Sequence, residues 1–214
     1  MVDIYVIYDD VNYIKQGWIN RNQILLNGKM KRVNLHIKDA SQNRLICDTE
    51  IAQTEEENRR LLETIKQAYH KAPYFRQTFE VIERILEYQE KNLAKYLSNQ
   101  IYEICEYLDI HTKLVLSSEL DKDNSLKGEE KIIAICKKLG GKHYINAIGG
   151  KSIYHQQEFK KHGMDLQFLK TGEVYYKQTQ EVFIPFLSII DVMMFNDVDN
   201  IKKLLRNFTL EKDI

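Results

Sequence analysis

The sequence is poor in residues that interrupt regular structure, and it carries no excess of either charge. It has two prolines and nine glycines in 214 residues, which excludes a low-complexity or collagen-like chain. Its 31 basic residues balance 31 acidic ones, whereas a general nucleic-acid binder normally carries a basic excess. Its apolar runs fall well short of the roughly 18 residues that a membrane span needs. We therefore expect a globular protein with no nucleic-acid partner and no membrane insertion.

Cysteine and histidine are too few and too scattered to form a recognisable site. The three cysteines, Cys47, Cys105 and Cys136, form no CxxC pair, and an odd, scattered set is typical of reduced thiols. None of the six histidines stands at metal-ligand spacing from a cysteine or a glutamate. Asp3 interrupts any secretory signal at the N-terminus. These patterns predict a cytoplasmic protein with no metal site and no cofactor.

The most informative segment runs from Asp3 to Asn22. Its apolar run from Ile4 to Tyr8 is typical of a buried parallel strand, and ligands bind outside the carboxyl ends of such strands in open sheets. The polar and aromatic side chains that follow are Asp9, Asp10, Tyr13, Lys15, Trp18, Asn20, Arg21 and Asn22. This density favours a ligand site, and a turn with a solvated, charged tip is the alternative.

The rest of the chain predicts strands that alternate with helices, the pattern of an α/β protein. Asn27-Gly28 indicates a small β-hairpin over residues 24–38. Further strands are expected at 3–8, 112–116, 143–145 and 165–169, and helices at 55–71, 76–90, 92–108, 128–139, 152–162, 186–195 and 198–208. We predict a Rossmann-like parallel sheet flanked by helices, with residues 55–108 as a helical insertion, in a single α/β domain over residues 1–214.

Three of the predicted strands end in polar residues that would share one edge of a parallel sheet. These ends carry Asp9-Asp10, Ser117-Ser118, and Asn146 followed by Gly149-Gly150. Such an edge is the geometry of a substrate cleft. Neighbouring residues of an extended strand point to opposite faces, so Asp9 and Asp10 would not form a simple acid–base pair. One of them would bond a ribose or sugar hydroxyl while the other orients Arg21 or Lys15; solvated turn acids are the alternative.

Arg21 is the strongest single candidate for an anion ligand, because its planar guanidinium suits phosphate or carboxylate. Asn20 and Asn22 flank it and supply amide donors. Trp18, the one tryptophan of the chain, could stack on a base or a sugar ring. The alternatives are a surface arginine and a tryptophan that packs under the loop.

A glycine pair after the third polar strand end is weaker evidence for an anion site. Gly149 and Gly150 precede a predicted helix, and glycine lets a phosphate approach the backbone at a helix N-terminus. The pair matches neither the P-loop nor the dinucleotide fingerprint. Tyr154 and His155, one turn into that helix, would face the cleft, although a lone histidine is more often structural.

Asp191 is the most unusual acid in the chain, because it interrupts an otherwise apolar helical stretch, FLSIIDVMMF. A carboxylate on an apolar face must be paired or hydrogen-bonded, and Ser188 lies one turn earlier. Either Asp191 faces a cleft as an acid or base, or it pairs with a structural arginine such as Arg21. No Ser/His/Asp order is present, so a covalent nucleophile is not supported.

Four segments in order, YDDVNYIKQGWINRN, HKAPYF, YINAIGGKSIY and QTQEVFIPFLSIIDVMMFN, resemble the WbqC-like family over nearly the whole chain. The resemblance implies a cytoplasmic step on an activated sugar in the biosynthesis of O-antigen or another surface polysaccharide. The family-typical positions are Asp9, Asp10, Lys15, Trp18, Asn20, Arg21, Tyr74, Asn146, Gly149, Gly150, Tyr154, Gln178, Pro185, Ser188 and Asp191. Among them we take Asp10, Ser188 and Asp191 as catalytic candidates. The residues expected to bind substrate are Asp9, Lys15, Trp18, Asn20, Arg21, Asn146, Gly149, Gly150, Tyr154 and Gln178.

Members of that family usually begin with an extra strand and a Gln-Pro, Tyr, Pro-Trp, Gly-Tyr segment before the equivalent of Asp3. This chain starts after that segment. An open sheet edge would follow, which another chain would cover in a homodimer; without that cover the protein would be only marginally stable.

Three functions remain open at this point. The first is an enzyme, for example a transferase, that acts on a nucleotide-activated amino sugar; acyl or aminoacyl transfer to the sugar amine is one form of it. The second is a non-catalytic binding or scaffold protein of the same pathway. The third is a nucleotidyltransferase-like enzyme, which rests on fold analogy alone.

Overall fold

A computed structural model describes residues 1–212 and confirms an α/β protein built from helices and small sheets. The strands are β1 (Ile4–Ile7), β2 (Arg21–Leu26), β3 (Lys29–Asn34), β4 (Lys113–Leu116), β5 (His143–Ala147), β6 (Asp165–Thr171) and β7 (Phe208–Glu211). The helices are α1 (Glu55–Tyr69), α2 (Phe75–Glu87), α3 (Leu93–Tyr107), α4 (Gly128–Lys138), α5 (Gln156–Lys161), α6 (Ile189–Phe195) and α7 (Val198–Leu205). Most of them lie where the hydrophobic periodicity predicts them.

The strands pair in three separate sheets, whereas the sequence predicted one parallel sheet. β1 pairs with β4 in parallel, with Ile4 opposite Lys113, and β5 pairs with β6 in parallel. β7 is antiparallel to β6, and β2 and β3 form the predicted hairpin. Alternation of strands and helices along a chain predicts parallel pairing, but it does not determine which strands become neighbours.

The predicted helical insertion is present as α1, α2 and α3. Thr54 caps α1 in the predicted capping box: its hydroxyl accepts from the Glu57 amide, and the Glu57 carboxylate accepts from the Thr54 amide. Asn92 caps α3 by accepting from the amide of Lys95. These caps satisfy backbone donors that would otherwise lack partners, so the helix starts could be read from the sequence.

Two predicted helices have different bounds near the C-terminus. The helix predicted over 186–195 begins only at Ile189, because Ser188 is its N-cap and Phe186 has a φ of 60°. The helix predicted over 198–208 ends at Leu205, and the chain enters β7 at Phe208. Pairing with β6, a long-range contact, makes this last segment a strand.

The contacts of the described residues divide the chain into two compact units. The first consists of Met1–Ser118 and Tyr175–Leu204, and the second of Glu119–Val174 and the residues from Leu205 onward. The single domain predicted from the sequence stays a prediction.

In the first unit, the core forms where β2 packs against α1, α2 and α6. Ile24 and Leu25 of β2 are buried in one cluster with Ile65 and Tyr69 of α1. Burying an isoleucine or leucine side chain contributes about 1.5–3 kcal/mol, so this packing holds β2 firmly. Arg21, the first residue of β2, therefore extends from a rigid element.

Candidate functional site

Two buried carboxylates and the buried Ser117 hydroxyl form a cluster at the carboxyl end of the β1–β4 pair, and the exposed Ser118 closes its outer side. The Asp9 carboxylate accepts hydrogen bonds from Ser117 Oγ (3.0 Å), from the Ser118 amide (2.9 Å) and from Ser118 Oγ (2.6 Å). Asp10 Oδ1 makes a short hydrogen bond with the same Ser117 hydroxyl. Two of the three polar strand ends that the sequence singled out therefore meet at one sheet edge.

Asp9 and Asp10 converge on Ser117, so the prediction that the two carboxylates point apart is wrong. The physical reason is that β1 ends at Ile7 and the Asp9 amide donates to the Ile7 carbonyl at 3.1 Å. The chain thus turns before it reaches the acids, and strand alternation no longer applies. Because Asp9 accepts three protein hydrogen bonds, it joins the ends of β1 and β4; its role as a substrate ligand stays a prediction.

Cys47 lies close to this cluster, since its amide donates to the Asp9 carbonyl at 2.9 Å. Burial, and then the negative charges of Asp48, Asp9 and Asp10, raise the pKa of the Cys47 thiol to about 11. The nucleophilic form of cysteine is the thiolate, which is scarce near neutral pH at such a pKa. Cys47 is therefore not activated for covalent chemistry.

An open groove of about 420 Å³ lies elsewhere on the first unit, along the loop after β1 and the far end of the hairpin. Its polar lining includes Tyr13, Lys15, Asn20, Arg21, Asn34 and His36. Three predicted substrate-binding residues, Lys15, Asn20 and Arg21, thus share one surface. With Gln16 included, two cationic groups and three amides line this concave surface. Such a set can bind a phosphate or carboxylate and hydrogen-bond a neutral part of the same ligand.

The amide of Asn20 is oriented before any ligand arrives. The buried Tyr13 hydroxyl donates to Asn20 Oδ1 at 2.8 Å, and Asn20 Nδ2 donates to the Leu35 carbonyl at 2.7 Å. An asparagine amide has two N–H donors, so one donor is left for a ligand. Burial raises the pKa of Tyr13, and the positive charge of Arg21 lowers it in part, so the charge of Arg21 reaches the Tyr13 hydroxyl.

Asn34 and His36 line the groove but were not predicted from the sequence, and the register of the hairpin explains their position. Arg21 pairs with Asn34 across the hairpin, and the chain continues past β3 to His36, which also lines the groove. A two-residue turn at Asn27-Gly28 fixes the pairing of both strands. Counting outward from that turn could therefore have placed Asn34 opposite Arg21 and brought His36 into the groove.

Asp191 lies in the interior of the first unit, not on a cleft. Its side chain is 0% exposed, and its carboxylate accepts hydrogen bonds from Tyr69 Oη (2.8 Å), Tyr176 Oη (2.7 Å) and Gln178 Nε2 (2.9 Å). Neither alternative from the sequence, a cleft-facing acid or a pair with Arg21, matches these contacts. Uncharged donors, two phenols and an amide, satisfy this buried carboxylate. A catalytic role for Asp191 stays a prediction.

Gln178 and Ser188 hold the chain that surrounds Asp191. Gln178 also donates to the Ile184 carbonyl (3.0 Å) and accepts from the Ile184 amide (2.8 Å), which closes the loop between them. Ser188 Oγ accepts from the Ile190 amide as the cap of α6, and the Ser188 amide donates to the Gln23 carbonyl of β2 at 2.7 Å. In this structure both side chains serve the fold, and their predicted functional roles stay predictions.

Asn146, Gly150 and Tyr154 lie together in the second unit, on a different sheet from Asp9 and Ser117. The expectation that all three polar strand ends share one sheet edge is therefore not met. Asn146 Nδ2 donates to the Tyr144 hydroxyl at 2.6 Å, and a Cβ on Gly150 would stand 2.9 Å from Asn146 Oδ1. Close internal packing thus explains the glycine at position 150.

The glycine pair does not start the predicted helix directly. Gly149 and Gly150 belong to a short 3-10 turn over Ile148–Ser152, and α5 begins only at Gln156. Gly149 has open space where a Cβ would be, so packing does not require its glycine. A role for this pair in binding phosphate stays a prediction.

Trp18 is 62% exposed, so it does not pack under its loop. It follows Lys15 and Gln16 of the groove wall in the chain.

Within residues 1–212 no group of three or more His, Cys, Asp and Glu side chains is arranged to hold a metal ion. Over the same residues, each helix is too short or too polar to span a bilayer.

Comparison with known proteins places the chain in a family. The profile of the WbqC-like protein family matches residues 1–203. A protein of Mycobacterium tuberculosis (strain ATCC 25618 / H37Rv) named "Uncharacterized protein Rv1507c" is 26% identical over 200 residues, which cover 91% of this chain and 84% of that protein. No solved structure matches. Since the family profile covers nearly the whole chain, this protein belongs to the WbqC-like family.

Proposed function

We propose that this protein is an enzyme of bacterial surface-polysaccharide (O-antigen) biosynthesis that binds a nucleotide-activated sugar, such as an amino sugar, in the groove along Tyr13, Arg21 and His36. The observation that carries this proposal is the convergence of Lys15, Asn20 and Arg21 on one open surface. A nucleotide sugar has the matching parts, an anionic diphosphate beside neutral hydroxyl and amide groups. Membership of the WbqC-like family supports the pathway.

In this proposal the guanidinium of Arg21 and the ammonium of Lys15 bind the diphosphate, because both cations line the groove. The free N–H of Asn20 donates to a sugar or ribose oxygen. The exposed indole of Trp18 stacks on the base, a contact worth about 1–3 kcal/mol for aromatic side chains in nucleic-acid sites. A transferase reaction is the form of activity that we favour.

A thermal-shift panel of UDP-, dTDP- and GDP-sugars, with free nucleotides and with ATP and Mg²⁺, tests the proposal. A ligand at a hundred times its dissociation constant adds about 2.7 kcal/mol to the free energy of unfolding. We expect one class of sugar nucleotide to raise the melting temperature, and Arg21→Ala to abolish the rise. Arg32→Ala is the matched control, because Arg32 lies on the same hairpin and outside the groove lining.

A binding or scaffold protein of the same pathway is the second candidate, and one segment favours it. Before α6 the chain exposes three apolar side chains, Tyr175 (66%), Val182 (76%) and Phe186 (91%). Contiguous exposed apolar patches mark contact surfaces for other proteins, and in this candidate function the three side chains contribute to such a patch. The absence of a shift with every sugar nucleotide, together with a stable complex in which Phe186→Ser is defective, would favour this function. The predicted homodimer can be checked by light scattering.

A further inference from the structure

The cationic groups of the groove share its lining with an imidazole that a carboxylate holds at one nitrogen. His36 lines the groove, and its backbone is held on both sides: its amide donates to Gln53 Oε1 at 2.9 Å, and its carbonyl accepts from the Ala52 amide at 2.8 Å. Its Nδ1 lies 2.5 Å from Glu57 Oε1. The side chain and the backbone of His36 are thus anchored together.

Glu57 is itself immobilised, because it is the third residue of the capping box of α1. Its Oε2 accepts from the Thr54 amide (2.8 Å) and from the Thr54 hydroxyl (3.0 Å), which leaves Oε1 for His36. The pKa of Glu57 is lowered, mainly by the hydrogen bond that its carboxylate accepts from the Thr54 amide. Glu57 is therefore a carboxylate near neutral pH, and a carboxylate can only accept.

The chemistry of the two nitrogens follows from this contact. Facing a carboxylate, Nδ1 of a neutral imidazole must carry the proton and donate it, so Nε2 keeps its lone pair. Among residues 1–212 the described contacts give Nε2 no hydrogen-bond partner. Glu57 on α1 is the titratable group in contact with His36, and Tyr13 and Lys15 on the loop after β1 and Arg21 on β2 line the same groove.

We propose that His36 is the proton-accepting residue of the groove and that Glu57 is its positioning residue. The inference rests on the proposed function, in which a sugar hydroxyl or amine lies in the groove. In the step, the O–H or N–H bond of that group breaks and its electron pair stays on oxygen or nitrogen. The proton binds the lone pair of Nε2, and the carboxylate of Glu57 stabilises the imidazolium that forms. A fixed histidine of this kind contributes about 10²–10⁴ in rate.

The deciding experiment is long-range ¹H–¹⁵N NMR of the imidazoles in the free, full-length protein, recorded over a pH series. His36→Gln assigns the signal among the six histidines. We expect neutral His36 to carry its proton on Nδ1, and Glu57→Gln, which keeps the capping box, to shift it toward the Nε2-protonated form. Glu56→Gln is the matched control, since Glu56 lies next in sequence and pairs with Arg60.

A proton on Nε2 of neutral wild-type His36, or a tautomer unchanged in Glu57→Gln, would overturn the inference. The sugar-nucleotide panel separates this failure from failure of the proposed function, because the NMR readout needs no ligand. With the sugar nucleotide from the panel, we expect His36→Gln to keep the affinity within about twofold and to lose at least about 100-fold in turnover. Undiminished turnover in His36→Gln would also overturn the inference.

Discussion

The polar side chains of the Asp191 network bond to one another inside the protein, whereas those of the groove line an open surface. The carboxylate of Asp191 is fully buried and accepts from two tyrosines and a glutamine. In the groove, Lys15, Arg21 and His36 face open space. The hydrogen bonds of the first region stabilise the fold, and the second region has donors and acceptors that can bind a ligand.

The two regions are linked through β2. Tyr69 Oη donates to Asp191 and also accepts from the Leu25 amide at 2.9 Å, and the Ser188 amide bonds the carbonyl of Gln23. Gln23 and Leu25 are alternate residues of β2, so both bonds lie on the strand edge that β3 does not pair. The buried network thereby holds the strand that begins with Arg21 at the groove.

Removal of the Asp191 carboxylate should give the largest loss of stability. Asp191→Ala removes the acceptor of the buried Tyr69 hydroxyl, of one N–H of the buried Gln178 amide and of the half-buried Tyr176 hydroxyl. We expect the free energy of unfolding to fall by about 3–5 kcal/mol. Urea unfolding followed by circular dichroism measures this change in the free energy of unfolding. Asp121→Ala is the control, because its side chain is 98% exposed and pairs only at the surface. Equal losses of stability in Asp191→Ala and Asp121→Ala would contradict the prediction that the buried acid stabilises the fold more than the exposed one.

Ser117→Ala should have the next largest effect, because Ser117 Oγ contacts both Asp9 and Asp10 in a buried cluster. We expect a loss of about 1–3 kcal/mol in the free energy of unfolding. A double-mutant cycle with Ser118→Ala should show coupling of at least about 0.5 kcal/mol, since both hydroxyls bond Asp9. Strict additivity would mean that the two hydroxyls act independently.

Alkaline pH should lower the free energy of unfolding through two half-buried thiols. The pKa values of Cys47 and Cys136 are raised from 9.0 to about 11, in both cases mainly by burial. Because the thiol pKa is higher in the folded than in the unfolded protein, the neutral thiols contribute to the free energy of unfolding. This contribution is complete below pH 9.0 and is lost as the pH rises through about 11. Thiolate absorbance, titrated in folded and urea-unfolded protein, measures the shift, and coincident curves would contradict it.

Arg21→Ala should have the smallest effect on stability, within about 0.5 kcal/mol, because the half-buried side chain lines an open groove and not the core. It should nevertheless raise the pKa of Tyr13 further, since the charge of Arg21 lowers it. Ultraviolet titration of the tyrosines, with Tyr13→Phe to assign the signal, tests this. A large loss of stability would show that Arg21 serves the fold, as Asp191 does.

Much of the fold could be read from local signals. The capping box at Thr54 and Glu57, the turn at Asn27-Gly28 and the short apolar runs located α1, the hairpin and the parallel strands. For the groove, the sequence placed Lys15, Asn20 and Arg21 together because they lie close along one loop. The contact between His36 and Glu57 could not be read from the sequence, because Glu57 lies in another element, 21 positions along the chain.

The sequence by itself determined the class of fold and most of the element order, because hydrophobic periodicity, caps and turns are local properties of the chain. Its motifs, compared with known families, indicated the family. Tertiary structure alone decided which strands pair, that Asp9 and Asp10 converge on Ser117 and that Asp191 is enclosed. The reason is that burial and hydrogen-bond partners depend on contacts between distant segments. A lone acid in an apolar helix has the same sequence pattern whether it faces a cleft or two tyrosines.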